Sequence, residues 1–306
     1  MKSVLRLSAT QRAELYQAAA QKSGLGEVII EKDFWVCWTL RELFTLPGIG
    51  EHLIFKGGTS LSKVWRVIER FSEDIDVSLS REWLGFSGEH DPERANTRKQ
   101  QTKRLEELAN ACIAKIRDEV LPALRNRAAA ALGGELWEIV IDPDDAQTLL
   151  FRYPSALAGG KDSEYVRREV KIECGARSDA WPADARTISS CVAEAFPAGV
   201  ADAAVTVKAL ALERTFWEKA TILHAEAHRA EDKATPVRLS RHYADLVALA
   251  EHAAASVALG RDDLRERVVA HKRVFFASTW ASYETAVPGT FRLVPSAARL
   301  AALEKD

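Results

Sequence analysis

The chain has 306 residues, 47% of them hydrophobic and 28% charged, with a net charge of −2. That is enough chain for two domains with real cores, and it excludes a polycation, so any nucleic acid would have to meet a local basic patch. Cys37, Cys112, Cys174 and Cys191 form no C-x-x-C pair, which excludes a disulfide scaffold or a cysteine zinc site and predicts a reduced, cytoplasmic setting.

The opening "MKSVLRLSATQRAEL" predicts no secretory leader, and no apolar run is long enough for a membrane span. Residues 8–45 predict two helices. Ser8 with Gln11 forms a capping box for the first, and Gly24 and Gly26 mark the break. The second, "EKDFWVCWTLRELF", sets Val36, Leu40, Leu43 and Phe44 at helical spacing. "EHLIFKGG" predicts a short strand ending at two glycines. "TSLSKVWRVIER" follows as a helix with Thr59 as N-cap, and "EDIDVSLS" alternates as a strand. Residues 92–131 predict one long helix or a helical pair, with its charges on a solvated face.

"ELWEIVID", "QTLLFRYP" and "YVRREVKIECG" predict an antiparallel meander. The stretch 182–204 reads as a connection, and helices are predicted from about residue 205 onward. The expected fold class is α+β: N-terminal helices at 1–50, a core at 51–185 and a helical domain at 186–306. Most of the eight tryptophans are expected in the core. His224 and His228, four apart with no third ligand at helical spacing, are expected on a solvated face.

The chemistry concentrates at residues 56–76. A strand that runs into Gly57 and Gly58 and then a helix N-terminus exposes backbone N–H groups to an anion, and glycine lets a phosphate approach closely. Thr59 and Ser60 add hydroxyls, while Lys56 and Lys63 bracket the turn with positive charge. Asp74 and Asp76 share one strand face, their Cα atoms roughly 6.5–7 Å apart. Carboxylates held that close raise each other's pKa unless a cation lies between them, and Mg²⁺ accepts carboxylate and phosphate oxygens together. Alone, D-x-D reads as the polar face of a one-sided sheet. Combined with the glycine turn, it points to a metal-assisted phosphoryl site. A third acid comes from "RREVKIECG", where Glu169 and Glu173 share a face and register alone does not choose between them; Glu173 is the preferred ligand.

Farther on, Lys219 lies on an apolar helical stripe with Leu212, Phe216, Leu223 and Ala227. That placement is costly unless the lysine finds a cleft or an anion. Asp245 lies beside a predicted buried face of Tyr243, Leu246, Val247 and Ala250, where an ion pair with Arg241 explains it almost as well as a site does.

"FKGGTSLSK" with "RFSEDIDVSL", and an acid on a later strand, resembles the DNA polymerase β-like nucleotidyltransferase superfamily. Together with "IIEKDFWVCWTL", it resembles more narrowly the AbiEii/AbiGii toxin family, over residues 28–250. "ERTFWEKATILH" matches that family's lysine helix at Lys219, and "RHYADL" matches its aspartate motif at Asp245.

The resemblance implies a Mg²⁺-dependent enzyme, with Mn²⁺ as the alternative. It implies transfer of a nucleotide from an NTP to an acceptor hydroxyl with release of pyrophosphate. Asp74, Asp76 and Glu173 would hold the metal, and Lys56, Gly57, Gly58, Thr59, Ser60, Lys63 and Lys219 the nucleotide. Asp245 would assist near the cleft, and Glu31, Lys32 and Asp33 would brace the N-terminal helix. It implies a toxin with a cognate antitoxin, met with or without direct contact, and the 3′ end of tRNA as the expected acceptor. The rival readings are transfer to a protein or small molecule, and a non-catalytic binding protein on the same core.

Overall fold

The computed structural model describes residues 1–157, 167–200 and 204–306. The first residues of the predicted strand at 165 and the end of the predicted connection at 201–203 lie outside them. The chain falls into two compact units. One comprises Met1–Val64, Arg70–Gly85 and Glu107–Ala209; the other comprises Trp65–Glu69, Phe86–Glu106 and Leu210–Asp306. These bounds differ from the division at 50/51 and 185/186 suggested above.

The first unit is built on a seven-stranded mixed sheet. In chain order its strands are β1 (Leu53–Lys56), β2 (Ile75–Leu79), β3 (Glu138–Asp142), β4 (Asp145–Arg152), β5 (Glu169–Gly175), β6 (Ala183–Ile188) and β7 (Val205–Leu210), and in space the order is β3-β4-β5-β2-β1-β7-β6. The meander of β3, β4 and β5 is antiparallel, as expected. β5 then pairs in parallel with β2, and β2 pairs antiparallel with β1.

β7 corrects the reading of residues from 205 as helix: it pairs in parallel with β1. Val205, Val207 and Ala209 turn inward and Thr206 and Lys208 outward, the alternation of a strand. The stretch read as a connection likewise contains β6 and helix α7 (Cys191–Ala195).

The apolar face of the sheet packs against α3 (Glu27–Phe44). This helix is covered from several sides, by α2 (Ala9–Ser23), by α6 (Leu121–Leu132) and by α7 as well as by β5. Its Phe34, Trp35 and Trp38 form an aromatic cluster with Tyr16, Phe151 and Tyr153. Such edge-to-face and stacked pairs add to the burial of large apolar rings. The capping box at Ser8 and Gln11 forms, and Gly24 ends α2 in the left-handed region at φ 73°. Trp35, Trp38 and Trp217 are buried, but Trp181 is half exposed, so the expectation of mostly core tryptophans holds only in part.

The helix after the glycine pair is shorter than predicted. α4 runs Gly57–Lys63, with Lys56 rather than Thr59 as its N-cap residue. It stops because Arg66 takes φ 54° and the Trp65 indole donates to the Leu210 carbonyl, drawing the chain out of the helix. Residues 92–131 form α5 (Arg98–Lys115), a π turn at Ile116–Val120 and then α6. Pro122 explains the π turn. It has no N–H for the Asp118 carbonyl and its ring would clash there, so the ladder widens by one residue.

The second unit holds α8 (Leu212–Ala227), α9 (Leu239–Glu251), α10 (Ala254–Leu259), α11 (Asp262–Phe275) and α12 (Ala297–Leu303). Arg299 of α12 donates to the carbonyls of Arg229, Ala230 and Lys233, which ties down the loop after α8. His224 is fully buried, contrary to expectation. Its Nε2 lies 3.1 Å from the Ser282 carbonyl and its Nδ1 accepts from the Arg292 amide, so both ring nitrogens are engaged in packing this unit. No helix among the described residues is long and apolar enough to cross a membrane.

Candidate active site

Strand register brings the predicted acids together. Lys56 of β1 stands opposite Asp76 of β2, Asp76 beside Glu173 of β5, and Glu173 opposite Thr148 of β4. These four residues form one row across the sheet, on the face away from Val77, Ile172 and Cys174. Asp74, two residues before Asp76, shares that face. The row sets the two glutamates apart. Glu173 lies next to Asp76, whereas Glu169 lies opposite Arg152 and pairs with Arg152 and Arg167, each at 3.7 Å.

Gly57 has φ 77°, and a Cβ there would land on the Asp76 carboxylate. The position therefore needs glycine twice, for its backbone conformation and for the close approach of the acid. Over Gly58 lie the Arg70 guanidinium and the Ser72 hydroxyl. Arg70 stands four residues before the first aspartate, and that spacing is the sequence signal for this cation.

Burial pushes the Asp76 carboxyl up to about 6; the charges of Glu173 and Asp74 and a hydrogen bond to Glu173 add to this, while Lys56, 3.9 Å away, opposes it. Burial also raises Asp74, helped by the charges of Glu173 and Glu73. Lys171 donates to Glu173 at 2.6 Å. Among the described residues no three His, Cys, Asp or Glu side chains already stand at metal-holding distance. The donor set nonetheless suits a hard divalent cation: it is all carboxylate oxygen, with Asp74 and Asp76 raised by burial first and by neighbouring carboxylates second.

Several predicted nucleotide contacts turn inward instead. Thr59 donates to the Asp74 carbonyl at 2.5 Å, its oxygen lies 2.9 Å from the Ser72 hydroxyl, and Ser60 donates to the Gly57 carbonyl at 2.9 Å. Both hydroxyls are fully buried, so they shape the turn and place Asp74. Lys63 is also corrected: its ammonium pairs with Asp33 at 2.6 Å, in the interior.

The E-K-D run of α3 does what was expected of it. Glu31 accepts from Ser155 and the Ala156 amide, Lys32 pairs with Glu73, and Asp33 accepts from the Cys191 amide as well as from Lys63. One helix thus grips the end of α4 and the residue before Asp74. Asp33→Ala, which strands a buried lysine, is expected to lower unfolding stability by about 3–5 kcal/mol in urea titration. A loss below about 1 kcal/mol would mean that the pair does not hold the site together.

In the second unit, Lys219 and Asp245 meet. The Lys219 ammonium lies 2.9 Å from Asp245 and 2.8 Å from His242 Nδ1. Asp245 is itself fully buried, while Val247, placed on the buried face above, is exposed. The inward stripe of α9 runs through Leu239, Asp245, Leu246 and Leu249, and the partner of Asp245 is Lys219 rather than Arg241 alone. A separate cleft of about 400 Å³, lined by Lys2, Trp38, Arg41, Glu42 and Arg127 among others, includes none of the predicted site residues.

A family model described as nucleotidyl transferase AbiEii toxin, type IV TA system, matches residues 38–306. The chain belongs to this family. As an AbiEii toxin it is a nucleotidyltransferase with an NTP substrate, in a type IV toxin–antitoxin system with an antitoxin partner. The match leaves the E-K-D run outside and extends past residue 250, where the resemblance read from motifs ended. Among solved structures the AbiEii chain is similar to MenT4, a nucleotidyltransferase toxin from Mycobacterium tuberculosis H37Rv. The identity is 17% and the TM-score 0.45, over 100% of this chain and 86% of that one. No match is found among curated protein sequences.

Proposed function

We propose that this AbiEii toxin transfers a nucleotide from an NTP to the 3′ end of tRNA, with Mg²⁺ held by Asp74, Asp76 and Glu173, and so blocks translation. The observation that carries the chemistry is the row of Lys56, Asp76 and Glu173 against Gly57. The tRNA acceptor follows from the family resemblance.

In this reading the backbone N–H groups of Gly57 and Gly58 receive the β- and γ-phosphates, and Lys56 and Arg70 supply the nearby positive charge. The acceptor hydroxyl attacks the α-phosphorus in line and pyrophosphate departs. Glu173 takes the hydroxyl proton, with Lys171 orienting its other oxygen. A divalent cation, when held by Asp74, Asp76 and Glu173, would supply charge neutralisation at the phosphates. The family resemblance assigns Lys219, which pairs with Asp245 and lies 2.8 Å from His242 Nδ1, to the triphosphate charge. Thr59 acts by fixing Asp74 and not by touching the nucleotide.

The test is incubation with each labelled NTP in turn, Mg²⁺ and total tRNA, comparing wild type with Asp74→Ala. Label is expected in RNase-sensitive material of tRNA size with wild type and at background with the variant. Label in protease-sensitive or small-molecule material would replace the acceptor. Equal incorporation by both proteins would remove the carboxylates from the mechanism.

A further inference from the structure

Strand order gives the candidate site a direction. β2 lies between β5 and β1, so Asp76 has Glu173 on one side and Lys56 on the other. Neighbouring strands stand about 4.8 Å apart, so the row from Glu173 to Lys56 spans roughly 10 Å. In-line displacement needs the entering and leaving oxygens on opposite sides of the α-phosphorus. With Glu173 taking the proton of the acceptor hydroxyl, the acceptor enters from the β5 side. Its oxygen bonds to the α-phosphorus as the bridging oxygen departs with the electron pair, and pyrophosphate leaves toward β1.

Where β1 ends, the chain turns through Gly57 and Gly58. Gly57 is the residue against the acids, since a Cβ there would land on the Asp76 carboxylate. Gly58 is one step farther from them. A Cβ on Gly58 would lie 2.9 Å from Arg70 Nη2 and 2.9 Å from Ser72 Oγ. On this path the β-phosphate meets Gly57, and the phosphate after it comes to Gly58, under the guanidinium.

The segment that carries Arg70 is tied down. Thr59 donates to the Asp74 carbonyl at 2.5 Å, and its oxygen lies 2.9 Å from the Ser72 hydroxyl. One buried hydroxyl of α4 thus anchors the residues between Arg70 and the first aspartate. A cation placed before the substrate arrives loses less freedom on binding. A guanidinium also presents a planar fork that matches two oxygens of one phosphate, which an ammonium does not.

We propose that Arg70 is the specificity residue for the γ-phosphate, the group by which this enzyme selects a nucleoside triphosphate over a diphosphate. Transfer breaks the linkage between the α- and β-phosphates, so the γ-phosphate takes no part in bond making or breaking. Its role is recognition, and the same guanidinium meets charge on the departing pyrophosphate. The proposal rests on the phosphate placement above and adds to it the end at which the triphosphate is read.

The experiment is isothermal titration, with Mg²⁺, of each NTP and its NDP into wild type, Arg70→Ala, Arg70→Lys and Gly58→Ala. Wild type is expected to bind the best NTP about tenfold or more tightly than the matching NDP, the range of a charge-assisted hydrogen bond. Arg70→Ala is expected to lose that preference while binding the NDP within about twofold of wild type. Arg70→Lys is expected to keep part of it, since the charge remains without the fork. Gly58→Ala reads the same contact from the other side: its methyl displaces the flexible end of Arg70, and the preference is expected to fall again. Thermal midpoints are taken on every protein. If Arg70→Ala does not fold, the other two variants carry the test, and a wild-type ratio in both overturns the assignment. A folded Arg70→Ala protein that keeps the wild-type ratio, or that weakens NTP and NDP equally, would overturn it too, as would a wild type that prefers no triphosphate; the carboxylate site stands in each case. Wild type that binds no nucleotide at all would overturn the phosphate placement as well.

Discussion

Asp76→Asn is expected to abolish nucleotidyl transfer and at the same time to make the metal-free protein more stable at pH 8. The two effects have one cause. Asp76 is raised from 3.8 in the unfolded chain to about 6 by burial and by the neighbouring Glu173 and Asp74. The folded protein therefore holds this proton more tightly than the unfolded chain does. Stability from this group is fully present below the unfolded value, falls as pH climbs from about 4 to about 6, and is gone above that. A shift of that size corresponds to roughly 1–3 kcal/mol at pH 8. Asparagine, like the protonated acid, avoids the cost.

Thermal unfolding without metal should thus show the midpoint of wild type dropping between pH 5 and pH 8 and that of Asp76→Asn staying flatter. Added Mg²⁺ should restore wild type at pH 8 and do little for the variant, because a ligand stabilises only a state that binds it. Transfer should fall by on the order of 10²–10³ or more, the loss typical of one preorganised electrostatic contact. Parallel pH profiles for the two proteins, or equal response to Mg²⁺, would show that Asp76 neither carries the strain nor meets the cation.

The parts of this site legible in sequence are those set by short-range rules. Period two on a strand placed Asp74 and Asp76 on one face. It also narrowed the third acid to Glu169 or Glu173, and only the parallel register of β5 against β2 shows that Glu173 is the one beside Asp76. A glycine pair between strand and helix marked a backbone that needs φ above zero, yet the close partner of Gly57 is Asp76 itself, a contact between residues far apart in the chain. Lys63 shows the limit most clearly. Its charge and spacing match a phosphate ligand, but its amine turns to Asp33, thirty positions earlier, and only tertiary packing decides which anion a lysine meets.

Helix and strand signals conflict at the start of β7. "VTVKALALERTF" contains strong helix formers after a period-two start, and the strand is stabilised by β1, which helix propensity does not sense. α4 ended early for a similarly distant reason, the hold of the Leu210 carbonyl on Trp65. A histidine at a helical position such as His224 says nothing of the Arg292 amide and the Ser282 carbonyl that receive its ring.

Lys219 offers the second large effect, and here stability and activity can be made to part. Lys219→Met leaves the Asp245 carboxylate buried with its ammonium partner removed. Breaking a buried pair from one side costs about 3–5 kcal/mol, so the variant is expected to unfold at markedly lower urea. Loss of transfer in that protein alone would be ambiguous, since a loosened unit explains it.

The double variant Lys219→Met/Asp245→Asn removes the charge on both sides. Replacing a buried pair by neutral groups of similar size is often close to neutral, and most of the lost stability should return. His242 also belongs to this set: an ammonium can only donate, so Nδ1 must accept and the ring proton must sit on Nε2. The double variant removes the donor to Nδ1 as well. If Lys219 serves the triphosphate, the double variant stays inactive although it is folded, with KM for the NTP raised in any residual activity. If the pair is only structural, transfer returns together with stability. Measuring both quantities on the same three proteins decides between a lysine that holds α8 to α9 and one that is held there to meet a phosphate.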